Sequence, residues 1–148
     1  MQSKAQKLSL SASIKRSLEV GLGALGLEAY TMEVSLVSDA EIRAINRKHR
    51  GKDKATDVLS FPAFVGRRGK VKIPAWAGTI GSIVISRDTA RAQAKEQRHS
   101  YRAEVLRLLV HGICHCVGYD HDLSTRDEKL MFAEEDRILA ILKRRGVL

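Results

Sequence analysis

Residues 111–121 read His-Gly-Ile-Cys-His-Cys-Val-Gly-Tyr-Asp-His, and their spacing predicts both the end of a helix and a cluster of histidines. His111 and His115 are four residues apart, so on a helix they lie on one face with Cβ atoms about 6 Å apart. Gly118 can adopt the left-handed conformation that ends a helix and reverses the chain. His121 can then return to the same point. The stretch therefore predicts a metal site on the helix that carries His111 and His115.

The composition of this site indicates the kind of metal. Three neutral imidazoles leave a fourth position open, which is typical of catalytic rather than structural zinc. Ordinary core or surface histidines are the alternative, but three of the five histidines in the chain fall between residues 111 and 121. We expect one Zn²⁺ per chain. Cys114 and Cys116 point about 100° away from the direction that the histidines share, so they are predicted to be small core residues.

The same spacing also occurs in metzincin proteases, where a glutamate follows the first histidine and acts as the general base. Here that position is Gly112, so a metallopeptidase is the less favoured alternative. Asp120 and Asp122 flank His121. Either carboxylate is a candidate to orient an imidazole, to replace the missing base, or to lie in a solvated turn.

Hydrophobic periodicity and turn residues predict an α+β fold. Residues 63–79 hold glycines and basic residues and are predicted to form a loop or irregular hairpin. Ser38 with Glu41, and Thr125 with Glu128, are predicted capping boxes. We expect a single domain over residues 1–148, with a small mixed sheet of three to four strands packed with about five helices. The predicted strands are 32–37, 57–61 and 81–86, and the predicted helices are 9–26, 38–48, 87–97, 100–117 and 125–145.

The chain carries 26 Lys and Arg against 17 Asp and Glu, a formal net charge of +9. Such an excess favours a polyanionic partner, with nucleic acid first, although solubility alone is the alternative. With three Phe, three Tyr and one Trp, an extended base-stacking platform is not expected. Contacts with phosphates would supply most of the affinity. Two basic clusters stand out: Arg43, Arg47, Lys48, His49, Arg50, Lys52 and Lys54, and then Arg67, Arg68, Lys70 and Lys72.

Cellular location can also be predicted from the sequence. No apolar run approaches the roughly 18 residues that span a bilayer, and the first residues do not resemble a signal peptide. The two cysteines are poor candidates for a mutual disulfide, because they lie two positions apart on one helix. We therefore expect no membrane partner and a reduced, cytoplasmic location.

Three segments stand out in the sequence: HGICHCVGYDH at residues 111–121, RGKDKATDVLSFP at residues 50–62 and GSIVIS at residues 81–86. Together they resemble one known family, the YbeY endoribonucleases of bacteria, also called rRNA maturation factors. Residues 111–121 resemble its pattern H-G-x-x-H-x-x-G-Y-D-H. Residues 50–62, RGKDKATDVLSFP, resemble R-G-K-D-x-x-T-D-V-L-S-F-P, and residues 81–86, GSIVIS, resemble G-D-I-V-I-S. The resemblance runs from about residue 31 to 142.

This resemblance implies zinc held by His111, His115 and His121, and a functional Arg50 near the metal and in contact with RNA phosphate. It implies a cytoplasmic, zinc-dependent hydrolase that cleaves phosphodiester bonds in single-stranded RNA. The family acts in ribosomal RNA maturation, particularly at the 3′ end of 16S rRNA, and in ribosome quality control. Its partners are accordingly the small ribosomal subunit or assembly factors. A non-catalytic assembly factor with a structural zinc is the alternative.

Two features depart from the family pattern. Ser82 stands where the family has aspartate, so any role of that carboxylate is weakened or moved. The leading segment is also short, and residues 1–8 are expected to supply only a brief strand before the first helix.

Overall fold

A computed structural model describes residues 9–148, and in this part of the chain five helices pack with a small sheet. The brief strand expected within residues 1–8 lies outside the described residues. The helices are α1 Leu10–Ala24, α2 Asp39–Arg50, α3 Arg87–Gln97, α4 Tyr101–Cys116 and α5 Thr125–Arg144. The strands are β1 Thr31–Val37, β2 Val58–Pro62, β3 Gly66–Arg67, β4 Lys70–Val71 and β5 Thr79–Ser86.

The main sheet has three strands in the order β1-β5-β2, with β5 at its centre. Strand β1 runs parallel to β5 and β2 runs antiparallel to it, so the sheet is mixed. The prediction of an α+β fold with a small mixed sheet is confirmed. Strands β3 and β4 form a separate two-stranded hairpin inside residues 63–79. It turns at Gly69, which has a positive φ of 80°.

A serine caps the start of each of the five helices in the described part of the chain. Its side-chain oxygen accepts a hydrogen bond from the backbone N–H three residues later, which satisfies a donor left free at the helix end. The capping box of Ser38 and Glu41 is confirmed. The predicted box of Thr125 and Glu128 is wrong by one residue, because S-T-R-D-E fits two registers and Ser124 is the cap. The capping serines are Ser9, Ser38, Ser86, Ser100 and Ser124.

Helix α4 lies at the centre of the core and packs directly on β5. A Cβ atom on Gly112 would lie 2.7 Å from Cγ2 of Ile83, closer than real Cβ atoms approach. Glycine at this position therefore lets the helix and the strand meet closely. Cys114 and Cys116 are both buried, which confirms them as core residues. Burial raises the pKa of the Cys116 thiol to about 12.

Candidate metal centre

Helix α4 presents His111 and His115 side by side, with ring centroids 4.7 Å apart. The ring of His121 lies 5.5 Å from that of His111 and 5.3 Å from that of His115. One nitrogen from each of the three imidazoles lies within 4.8 Å of the other two. The fold thus brings together the three histidines as predicted, and the group could hold a metal ion.

The turn between the second and third histidines depends on Gly118. Its φ is +93°, a conformation that favours glycine, and its N–H donates to the His115 carbonyl at 3.0 Å. A Cβ atom here would also lie 2.4 Å from the backbone carbon of Gly66. The turn therefore needs glycine both for its own conformation and for the backbone packed against it.

That backbone belongs to residues 63–78, which we call the basic arm. The N–H of Arg68 donates to the carbonyl of Gly118, and the N–H of Gly69 donates to that of Val117, both at 3.0 Å. The arm is thus hydrogen-bonded to the turn that positions His121.

Glu135 of α5 orients the first histidine. Its Oε1 lies 2.8 Å from Nδ1 of His111, and the residue is 8% exposed. A carboxylate accepts only, so Nδ1 carries the proton and Nε2 keeps its lone pair for a ligand. Sequence reasoning missed this residue. The available signal was an acid on an apolar helical stripe with Met131, Ile138 and Leu142.

The other two histidines also suit a metal. Burial, followed by the neighbouring His111 and His121, lowers the pKa of His115, which keeps its imidazole neutral. Nδ1 of His121 is buried and has no hydrogen-bond partner among the described residues. A buried polar atom without a partner is costly, and a bound ion is one way to satisfy it. Three imidazoles with no thiolate in the group fit zinc.

The two aspartates beside His121 differ in their contacts. Oδ1 of Asp122 lies 3.3 Å from Nε2 of His121, although the Asp122 side chain is mostly exposed. Oδ1 of Asp120 accepts a hydrogen bond from the N–H of Asp122 at 2.9 Å. Asp122 is therefore the carboxylate that contacts a histidine, and Asp120 stabilises the turn.

An open cleft of about 1220 Å³ contains the three histidines together with Arg50. Nη2 of Arg50 donates to the Ser60 carbonyl at 2.7 Å, and the guanidinium lies 5.3 Å from the centre of the Phe61 ring. These contacts hold the cation on the cleft wall. The cleft is open and larger than the 300–1,000 Å³ usual for small-molecule pockets, so it has room for a segment of a polymer.

Ser82 lies apart from this cleft. Its neighbour Ile83 faces α4 at Gly112, and successive strand residues point to opposite faces, so Ser82 faces away from α4. Its hydroxyl lies 3.5 Å from Oε2 of Glu33 on β1, and the residue is not among those that line the cleft. The departure from aspartate therefore leaves the histidine cluster untouched.

The chain is similar to proteins of one known family. The family model described as Endoribonuclease YbeY matches residues 1–143. The chain is 44% identical over 132 residues to Endoribonuclease YbeY of Aquifex aeolicus, covering 88% of this chain and 83% of that protein. It is 41% identical over 126 residues to that of Persephonella marina, covering 84% and 78%. The solution structure of TM1509 from Thermotoga maritima matches with a TM-score of 0.64 and 27% identity, covering 98% of this chain and 88% of that one.

Proposed function

The chain belongs to the YbeY family of endoribonucleases, and we propose that it is itself a zinc-dependent endoribonuclease specific for single-stranded RNA. Its role would be ribosomal RNA maturation at the 3′ end of 16S rRNA, and ribosome quality control. It would act in the cytoplasm, as one unit over residues 1–148, with the small subunit or its assembly factors. The observation that carries the proposal is the cleft that holds Arg50 and three convergent histidines together.

His111, His115 and His121 would hold one zinc ion. When bound, zinc supplies Lewis acidity towards a phosphoryl oxygen and lowers the pKa of water towards 7. Arg50 would act as the catalytic cation, because one of its nitrogens is anchored on Ser60 and the remaining donors can serve phosphate oxygens. Glu135 holds the imidazole of His111 in position and so acts through that ligand.

Charge and shape support RNA as the substrate. The net charge of +9 attracts a polyanion. The cleft is lined by Asp57, Asp120, Asp122 and Asp127 as well as by arginines, but Arg50 and Arg67 form no ion pair within residues 9–148 and are available to phosphate. No helix within residues 9–148 is long and apolar enough to cross a membrane.

A peptidase is disfavoured by sterics as well as by chemistry. The protease glutamate would occupy position 112, where even a Cβ atom would collide with Ile83. The close packing of α4 on β5 therefore excludes the side chain that would activate water for peptide hydrolysis.

The decisive experiment measures zinc content and RNA cleavage in the same purified samples. His115→Ala should lose both. Arg50→Ala should keep zinc and lose most cleavage, whereas Arg144→Ala, which removes an exposed arginine of α5 outside the cleft, should retain both. Full cleavage by zinc-free His115→Ala would contradict the metal hydrolase. If the wild-type protein binds zinc and associates with the ribosome but does not cleave RNA, the non-catalytic assembly factor would be favoured.

A further inference from the structure

The two adjacent arginines of the basic arm have different surroundings. Nε of Arg68 lies 2.7 Å from Oδ1 of the buried Asp127, so Arg68 pins the arm to the start of α5. Arg67 is exposed, lines the cleft with the histidines, and makes no side-chain hydrogen bond or ion pair within residues 9–148. Its guanidinium is therefore available to an anion that enters the cleft.

The arm belongs to a segment with one sign of charge. From Val58 to Arg87 the sequence contains no Asp or Glu, while its cations include Arg67, Arg68, Lys70 and Lys72. Three of these cations, Arg67, Lys70 and Lys72, are exposed, and a surface of a single sign attracts the opposite charge. The partner that complements this segment is a polyanion.

Trp76 gives the arm an exposed aromatic surface. The residue is 82% exposed, and its ring meets that of Phe64 edge-on, with centroids 6.4 Å apart and an interplanar angle of 70°. Phe64 in turn packs against the core, so the indole of Trp76 contacts a ring that is held in place. Val65 follows Phe64 in the sequence, is 96% exposed and lines the cleft. The pair of Phe64 and Trp76 is therefore connected directly to the edge of the cleft.

We infer that the basic arm binds single-stranded RNA beside the metal centre, with Arg67 contacting a backbone phosphate and Trp76 stacking on an unpaired base. An exposed aromatic ring next to cations is the combination by which proteins hold single strands without reading sequence. A base can stack on the indole only when it is free of a duplex. The arm would thus contribute to single-strand specificity, and this inference rests on the proposed function.

Trp76 is the only tryptophan in the chain, so fluorescence excited at a wavelength that tyrosine does not absorb reports this residue alone. A short 2′-O-methyl phosphorothioate RNA, which resists cleavage, is titrated into the wild-type protein. The single strand should quench the fluorescence. The same strand annealed to its complement, and an abasic strand of equal length, should not.

Affinity measurements by fluorescence anisotropy, using a dye on the RNA, then divide the two roles. Trp76→Ala should weaken single-strand binding by about fivefold to a hundredfold, and Trp76→Phe by less. Arg67→Gln should reduce the slope of log affinity against log salt by about 0.7, the value for one phosphate on a single strand. Lys15→Gln, which removes an exposed charge on α1 outside the cleft, should leave both quantities unchanged.

The outcomes separate this inference from the proposed function. If the wild type cleaves RNA but its tryptophan is not quenched, and both arm variants bind like Lys15→Gln, the arm inference is overturned and the endoribonuclease stands. If the wild type neither binds nor cleaves single-stranded RNA, both fall. If the duplex and the single strand quench the fluorescence equally, the arm does not contribute to single-strand specificity.

Discussion

Glu135 of α5 and His111 of α4 are joined by a hydrogen bond of 2.8 Å between the carboxylate Oε1 and the imidazole Nδ1. The last helix thereby orients the first histidine of the candidate metal centre, although the two residues are 24 positions apart. Such partners of metal-binding histidines fix the tautomer and raise the basicity of the ligand.

Replacement of this partner should weaken metal binding while the fold persists. Glu135→Gln is expected to lower zinc affinity by about 10- to 100-fold, as measured by competition with a chromophoric chelator. Asp136→Asn, an exposed neighbour on the same helix, is the matched control and should bind zinc like the wild type. Unchanged affinity in Glu135→Gln would show that the hydrogen bond does not support the site.

The contact between Gly112 and Ile83 predicts a loss of stability from a single methyl group. Gly112→Ala must shift α4 away from β5, and overpacking of this kind costs about 1–3 kcal/mol. In Gly23→Ala the added Cβ has no atom within 4 Å, so it should be neutral or stabilise by up to about 1 kcal/mol through helix propensity. Urea unfolding of the two variants measures this difference. A Gly112→Ala protein as stable as Gly23→Ala would refute the tight contact.

Gly118 should be more demanding still, because it combines a positive φ with a collision against Gly66. Gly118→Ala is expected to reduce both the free energy of unfolding and the zinc affinity, since the turn between His115 and His121 must move. Gly26→Ala also has a positive φ but open space around it, and should lose only the conformational term of about 1–2 kcal/mol. Equal losses in the two variants would mean that the arm accommodates a side chain at position 118.

Glu104 predicts an acid-dependent term in stability. The carboxylate is fully buried, accepts a hydrogen bond from Nε2 of His99 at 2.5 Å, and is bound by Arg107. Burial alone would raise the pKa of Glu104, but the hydrogen bonds from Arg107 and His99 outweigh it and the pKa is lowered. A group with a lowered pKa in the folded state stabilises above its unfolded pKa and loses that contribution as pH falls through the folded value.

Glu104→Gln should therefore destabilise the protein by about 2 kcal/mol at neutral pH, and the gap to the wild type should narrow in acid. Denaturant unfolding at a series of pH values measures this gap. Glu96→Gln, an exposed acid on α3, provides the comparison and should show little change. A gap that stays constant into strong acid would contradict the ionised, hydrogen-bonded state of Glu104.

Several features of this protein follow from residues close together in sequence. His111 and His115 lie in the last two turns of α4, and Gly118 and His121 lie in the reversal that follows, so short-range geometry alone brings the imidazoles together. The same holds for the Ser38 cap and for the buried apolar strand β5. These predictions succeeded because hydrogen bonding within a helix turn and alternation along a strand are local properties. Ser124 and Thr125 both satisfy the local rule for a helix cap, so the sequence predicts Thr125 where the structure has Ser124.

What only the tertiary structure decided involves contacts between distant segments. Glu135 reaches His111 because α5 packs on α4, and Arg67 enters the cleft because the basic arm is hydrogen-bonded to Gly118 and Val117. From the sequence, Gly112 indicates only that the general base of a protease is missing. The structure shows in addition that the packing of Ile83 requires a glycine at this position. The local pattern therefore determined which residues could bind a metal. The packing of helices, sheet and arm decided which side chains surround it, because burial and hydrogen bonding across the fold depend on every segment at once.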